Sequence, residues 1–258
     1  MSANFTTVTE VGGEPVPEEQ VQRLAHRYYW TGQYCAGKDV IELACGAGQG
    51  LGYLRARARS VRAGDITPGL VAEAKAHYGD RLEITEMDAA QIPLPDQSLD
   101  VILLLEAIYY LPSIEQFLAE CKRVLRPGGR VLVATANKDL FDFNPSPFSV
   151  AYYGVVELER HFGAHGFSCE FFGNVPLEAT SLRQRMLRPI KKLVVSLNLM
   201  PRTMAGKRLL KRLVFGALTP MPREITAETA AYVPPTSLPK GAPDRRFKVI
   251  YMAATLPA

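Results

Sequence analysis

The chain has 258 residues, 47% of them hydrophobic and 22% charged, which is ordinary globular composition and excludes a disordered or collagen-like protein. No apolar run approaches the roughly 18 residues of a spanning helix, and a net charge of +4 selects no partner by itself. Four cysteines, Cys35, Cys45, Cys121 and Cys169, show no C-x-x-C spacing and read as reduced thiols of a cytoplasmic protein. The first residues lack the charged and apolar regions of a secretion signal.

Residues 1–14 are polar and are expected to be loose. Glu18 and Glu19 follow Pro15 and Pro17, and acids suit the first turn of a helix. Val21, Leu24, Ala25 and Tyr28 then recur at helical spacing, so a helix is expected over 17–35 within a cap at 15–36. The first strand leads into a turn after Leu43, and strand two is expected near 60–65, ending at Asp65. Thr67 and Pro68 read as N-cap and first position of a helix to Tyr78. Strand three is Leu82 to Met87, and strand four is the apolar stretch from Leu99 to Leu105. Ser113 and Gln116 suit a capping box for a helix through Leu125, broken at Arg126-Pro127-Gly128-Gly129 before strand five, Arg130 to Ala136. A helix near 153–164 ends at Gly166; strand six is Phe167 to Phe172, and the last strand is Phe247 to Thr255. This alternation predicts a single α/β domain over 1–258, a doubly wound, seven-stranded, mostly parallel sheet. Such sheets bind ligands at the carboxyl ends of their strands, near the point where strand order reverses.

The most informative stretch is Val40 to Gly50, V-I-E-L-A-C-G-A-G-Q-G. A buried strand carrying one acid, Glu42, stops at a turn with glycines at 46, 48 and 50. Glycine there allows backbone to come very close to a ligand. A dinucleotide fingerprint needs G-x-G-x-x-G, but its third glycine would fall on Leu51 or Tyr53. A phosphate loop needs Lys and Ser/Thr after the last glycine, and neither is present. An acid inside the strand repels a pyrophosphate and suits a ligand bearing an ammonium group.

The stretch Glu42-Leu43-Ala44-Cys45-Gly46-Ala47-Gly48-Gln49-Gly50 resembles motif I of the class I S-adenosylmethionine-dependent methyltransferases, with Ala44 in place of the first glycine, a replacement that reads as mild. The resemblance implies S-adenosylmethionine as cofactor, held at Glu42, Ala44, Cys45, Gly46 and Gly48. Asp65 lies 23 residues after Glu42, where the family's acid accepts the ribose hydroxyls, and Ile66 would pack on the adenine. Asp88, in E-M-D-A-A, would take the adenine amino group, with the Ala89 amide on the ring. Glu106, Ala107 and Ile108 would line the methionine end, and Tyr109 and Tyr110 the acceptor. Asp100 and the turn L-R-P-G-G-R read as structural. Upstream, A-H-R-Y-Y-W resembles the family's cofactor-covering helix and offers Tyr28 as a contact. For a general base the candidates are Tyr109, Glu106 and His26. His161 and His165 share a helix face without a third ligand nearby in sequence, so no metal is expected.

About 70 residues, 174–244, separate strands six and seven. From Thr180 to Arg223 there are eleven Lys/Arg and no acid, leaving 19 of the 30 basic residues against 26 acids elsewhere. Lys207, Arg208, Lys211 and Arg212 share a helical face beside Leu209, Leu210, Leu213 and Val214. Leu182, Met186, Ile190 and Leu193 form a second apolar stripe. These patterns suit either a helical lid or an amphipathic surface over 182–216 for an anionic membrane or a lipid-linked or phosphorylated acceptor. Nucleic acid is disfavoured, because the segment after strand four lacks [DN]-P-P-[YF]. The expectation is methyl transfer to a small-molecule, glycan or lipid-linked acceptor, oxygen favoured, by a cytoplasmic protein with peripheral membrane contact as an option. The alternatives are a quinone or lipid C-methyltransferase at a membrane surface, a non-catalytic S-adenosylmethionine-binding module and, against the glycine spacing, a nucleotide-dependent oxidoreductase.

Overall fold

Ten strands and five α-helices follow one another in the computed structural model, which describes residues 5–177 and 218–258. In chain order they are β1 (Pro15–Pro17), α1 (Glu18–Cys35), β2 (Asp39–Leu43), α2 (Leu51–Arg55), β3 (Ser60–Asp65), α3 (Pro68–Tyr78), β4 (Glu83–Glu86), β5 (Leu99–Leu105), α4 (Ile114–Val124), β6 (Leu125–Ala136), α5 (Val155–Ala164), β7 (Ser168–Pro176), β8 (Leu218–Pro220), β9 (Thr236–Leu238) and β10 (Phe247–Thr255). Eight strands form one sheet in the order β4-β3-β2-β5-β6-β10-β7-β9. The first five pair parallel, and β10, β7 and β9 pair antiparallel.

The α/β architecture is as read from the chain, with one strand more. The proline-marked return before the last strand contributes β9 to the sheet edge through Phe171–Leu238 to Gly173–Thr236 pairing. A second, two-stranded sheet joins β1 to β8. Residues 15–17 are thus a strand rather than the start of the cap helix, and Pro15 and Pro17 suit an edge position because they lack an N–H to donate. The insertion read at 174–244 begins inside β7 and ends after β9; its two apolar stripes and basic faces, and the 182–216 surface, lie outside the described residues apart from these flanking strands.

Both faces of the sheet are covered. Ile41, Leu43, Ile102 and Leu104 point to the side packed by α4 and α5, whereas Val40, Val101, Leu103 and Leu105 point to the side of α1 and α3. That explains why β2 and β5 are continuous apolar runs rather than alternating ones. Glu42, in β2, is the exception, at 1% exposure. At the opposite end of the strands Asp100 accepts the Asp39 N–H (2.8 Å) and pairs with Arg126 (3.0 Å), so its role is structural, as expected. Ser113 caps α4 by accepting the Gln116 N–H at 3.2 Å. No described helix is long and apolar enough to cross a membrane.

Candidate active site

Strand order reverses between β2 and β5, and a cavity of about 390 Å³ opens there at the carboxyl ends, a size usual for small-molecule sites. β2 brings Glu42, Ala44, Cys45 and Gly46 to it; β3 brings Asp65 and Ile66; β4 brings Asp88 and Ala89; β5 brings Glu106 and Tyr109; α1 brings Tyr28. Gly48 is not on its wall. Its φ of +81° shapes the turn, and its carbonyl accepts the Tyr78 hydroxyl at 2.7 Å. His26, a candidate base, does not line the cavity either. Its Nε2 meets the Ala231 carbonyl at 2.9 Å. Two residues from Tyr28 is about 200° around a helix, so the turn that aims Tyr28 inward aims His26 away.

The turn is held by its own side chains. Asp65 accepts the Gly46 N–H on Oδ2 (2.9 Å) and the Thr67 N–H on Oδ1 (2.8 Å), which fixes the carboxylate and the glycine loop together. Gly46 has φ +58°. Ala44 has φ +53°, so the replacement read as mild carries a backbone cost of about 1–2 kcal/mol. Gly50 has an ordinary φ but no room for a side chain: an added Cβ would lie 2.0 Å from Cε1 of Tyr28. The glycine therefore lets the α1 tyrosine reach the strand.

That reach places the Tyr28 hydroxyl 2.5 Å from Glu42 Oε1, to which it donates. Glu42 Oε2 is buried without a hydrogen-bond partner. Burial pushes the carboxyl up to about 7, against the Tyr28 hydrogen bond and the charge of Arg27, which lower it. Burial and then the Glu42 charge hold the Tyr28 phenol well above its ordinary value, so it remains a donor. A buried, half-satisfied carboxylate beside a glycine turn is costly unless a ligand completes it. An ammonium cation, which brings both charge and N–H donors, does so. Asp65 keeps lone pairs for hydroxyl donors, and Asp88, whose Oδ1 takes the Ala90 N–H (2.8 Å), stays exposed at the rim. These groups fit S-adenosylmethionine: the Glu42 carboxylate would take the amino group, Asp65 the ribose hydroxyls, and Asp88 with the Ala89 amide the adenine.

At the other end Glu106, at φ +55°, accepts from the Tyr109 hydroxyl at 3.2 Å. Tyr109 stacks on Tyr152 (ring centroids 4.5 Å apart). Burial, reinforced by Glu106, raises its phenol well above the ordinary value. Tyr109 is therefore a hydrogen-bond donor rather than a base, and Glu106 is the basic candidate inside the cavity. The Cys45 thiol is likewise held protonated, by burial and then by Glu42 and Asp65.

Several cavity residues escaped the sequence reading. Phe5, Val8, Thr9 and Glu10 line it, so residues 5–14 are not loose. The Glu10 carbonyl takes the Gln49 side-chain amide at 2.6 Å, and the Phe5 ring lies 4.9 Å from that of Tyr110. Glu10 also pairs with Arg27. Arg23, Leu24 and Arg27 share the Tyr28 face of α1, a signal present in the i, i+4 spacing. Lys248, Val249 and Tyr251 arrive from antiparallel β10, too distant in sequence to foresee. Among the described residues no group of three potential ligands is placed to hold a metal ion.

Residues 41–133, from β2 into β6, match the profile of a methyltransferase domain family. A Mycolicibacterium smegmatis protein named as an S-adenosylmethionine-dependent methyltransferase is 39% identical over 153 residues, 58% of this chain and 56% of its own length. A Mycobacterium ulcerans protein named as a phthiotriol/phenolphthiotriol dimycocerosates methyltransferase is 40% identical over 97 residues, 36% of this chain and 38% of that one. The chain thus spans little more than half the length of the first of these relatives. Among solved structures, the Bacillus subtilis YcgJ protein shares the fold with a TM-score of 0.59 at 16% identity, covering 91% of this chain and 99% of that one. The methyltransferase profile is thus seated on the strands that build the glycine turn, Asp65 and Glu106, and over this segment the chain is similar to S-adenosylmethionine-dependent methyltransferases.

Proposed function

We propose that this chain is an enzyme that methylates a hydroxyl oxygen of a small-molecule, glycan or lipid-linked acceptor. The observation that carries the reading is the buried Glu42 carboxylate, bonded by Tyr28 on one oxygen and open on the other, beside a glycine turn fixed by Asp65. When bound, S-adenosylmethionine supplies a methyl group already made electrophilic by its sulfonium. The chain's residues then hold and orient, and proximity of this kind lowers a barrier by roughly 7–11 kcal/mol. Glu106 takes the hydroxyl proton of the acceptor, and the Tyr109 hydroxyl orients that carboxylate. An acid carrying out this role favours oxygen over carbon acceptors, and the Mycobacterium ulcerans relative, named for a triol, supports a hydroxyl acceptor. Peripheral membrane contact through the basic segment is part of the same proposal, on charge pattern alone.

The test is transfer of labelled methyl from S-adenosylmethionine to fractionated cell extract. Label in alkali-stable ether linkage within a lipid, glycan or small-molecule fraction supports the reading. Label confined to nucleic acid or bound to carbon refutes its acceptor, and no transfer by a protein that binds the cofactor supports a non-catalytic module instead.

A further inference from the structure

Among the described residues three cations line the cavity: Arg23 and Arg27 from α1, and Lys248 from β10. Two already have an ion-pair partner. Arg27 pairs with Glu10 through Nη2, although its Nε too is buried without a partner, and Lys248 Nζ lies 2.6 Å from Glu19 Oε1. Arg23 makes no ion pair or hydrogen bond within the described residues, although its Nε is buried and without a partner. The Glu10 charge is near enough to feel it but bonds Arg27 and Gln20 instead. A buried guanidinium edge without an acceptor is strongly unfavourable and matches a carboxylate or phosphate in fork geometry.

Position along α1 separates this cation from the cofactor. Tyr28 reaches Glu42, and Arg27 stands in the field of Glu106. Arg23 is about one helical turn beyond Arg27, roughly 5.4 Å along the axis. Leu24, Leu111, Pro112 and Val249 supply apolar wall in the same cavity. We propose that Arg23 is a specificity-determining residue that receives an anionic group, carboxylate or phosphate, on an acceptor with an apolar body. This rests on the methyltransferase reading of the cavity.

The test uses the protein saturated with S-adenosylhomocysteine, which fills the donor side, titrated with octanoate, octyl phosphate and octanol. At least one anion is expected to bind about 10-fold or more tightly than octanol, in keeping with a charged hydrogen bond; which anion binds better identifies the group. Arg23→Gln should bring that anion to the affinity of octanol, and Arg23→Lys should keep part of the preference. In both variants S-adenosylhomocysteine affinity should stay within 2-fold, roughly, of wild type, which also reports an intact fold. Equal binding of octanol and both anions, or a preference that survives Arg23→Gln, overturns the proposal. A loss of S-adenosylhomocysteine affinity in Arg23→Gln overturns it too, by assigning Arg23 to the cofactor. If S-adenosylhomocysteine does not bind the wild type at all, the methyltransferase reading itself fails, and this proposal with it.

Discussion

Replacing Glu42 by Gln should make the ligand-free protein less sensitive to alkaline pH while weakening its hold on the cofactor. The carboxyl moves from 4.5 in the unfolded chain to about 7 in the fold, chiefly through burial. A folded value above the unfolded one means that the stabilising state is the protonated one. Glu42 therefore costs nothing below pH 4.5, and its cost grows until pH passes 7. A shift of that size corresponds to about 3 kcal/mol. Gln keeps an acceptor for the Tyr28 hydroxyl but buries an amide N–H₂ where Oε2 now lacks a partner, at roughly 1–3 kcal/mol. At pH 8 the two effects nearly cancel, with a net gain of at most about 2 kcal/mol. The decisive quantity is the difference between the two proteins' unfolding free energies as a function of pH, in which every other titration cancels. Urea unfolding at pH 5, 6, 7 and 8 should show that difference moving by about 2.5 kcal/mol in favour of Glu42→Gln as pH rises. Cofactor affinity at pH 8 should fall by about 10–100-fold, the loss of one charge-assisted bond. A pH-independent stability difference, or unchanged affinity, would refute the reasoning.

Other substitutions probe the same geometry. Gly50→Ala drives a methyl into the Tyr28 ring; we expect a loss of about 1–3 kcal/mol in chemical unfolding, and weaker cofactor binding as the ring leaves Glu42. Ala44→Gly relieves the φ of +53° and should stabilise by about 1 kcal/mol, a rise in melting temperature of roughly 2–4 °C by calorimetry. Tyr109→Phe removes the bond to Glu106. It should slow methyl transfer by about 10-fold, with cofactor dissociation constant unchanged; initial rates against titration separate the two.

Much of this site is local in the chain and was therefore legible in it. Gly46, Asp65 and Asp88 stand at or just past the ends of β2, β3 and β4, with Glu42 inside β2, and parallel strands place their carboxyl ends on one edge whatever the intervening helices do. Tyr28 was offered by the resemblance of its helix, and the structure sets its hydroxyl on Glu42; helical periodicity turns His26 away from the cavity, a consequence not drawn from the chain. What escaped it is non-local. Residues 5–14 look loose because they are polar, yet the Glu10 carbonyl is fixed by Gln49, and Glu10 itself by Arg27. Lys248 and Tyr251 enter because β10 runs antiparallel and begins at the edge where β6 ends. The β9 strand hid in a proline-rich return, where a three-residue edge strand leaves almost no periodicity. Ala44 looked harmless by residue type, and its cost appears only with its backbone angle.

The central claim is that this cavity binds S-adenosylmethionine through the turn that Asp65 fixes. Titration calorimetry on the wild type and Asp65→Ala tests it most directly. One molecule per chain should bind the wild type, and the variant, folded by circular dichroism, should bind at least about 100-fold more weakly, having lost a carboxylate that both pins the turn and accepts from the ligand. No binding by the wild type, or equal affinity in the variant, would contradict it.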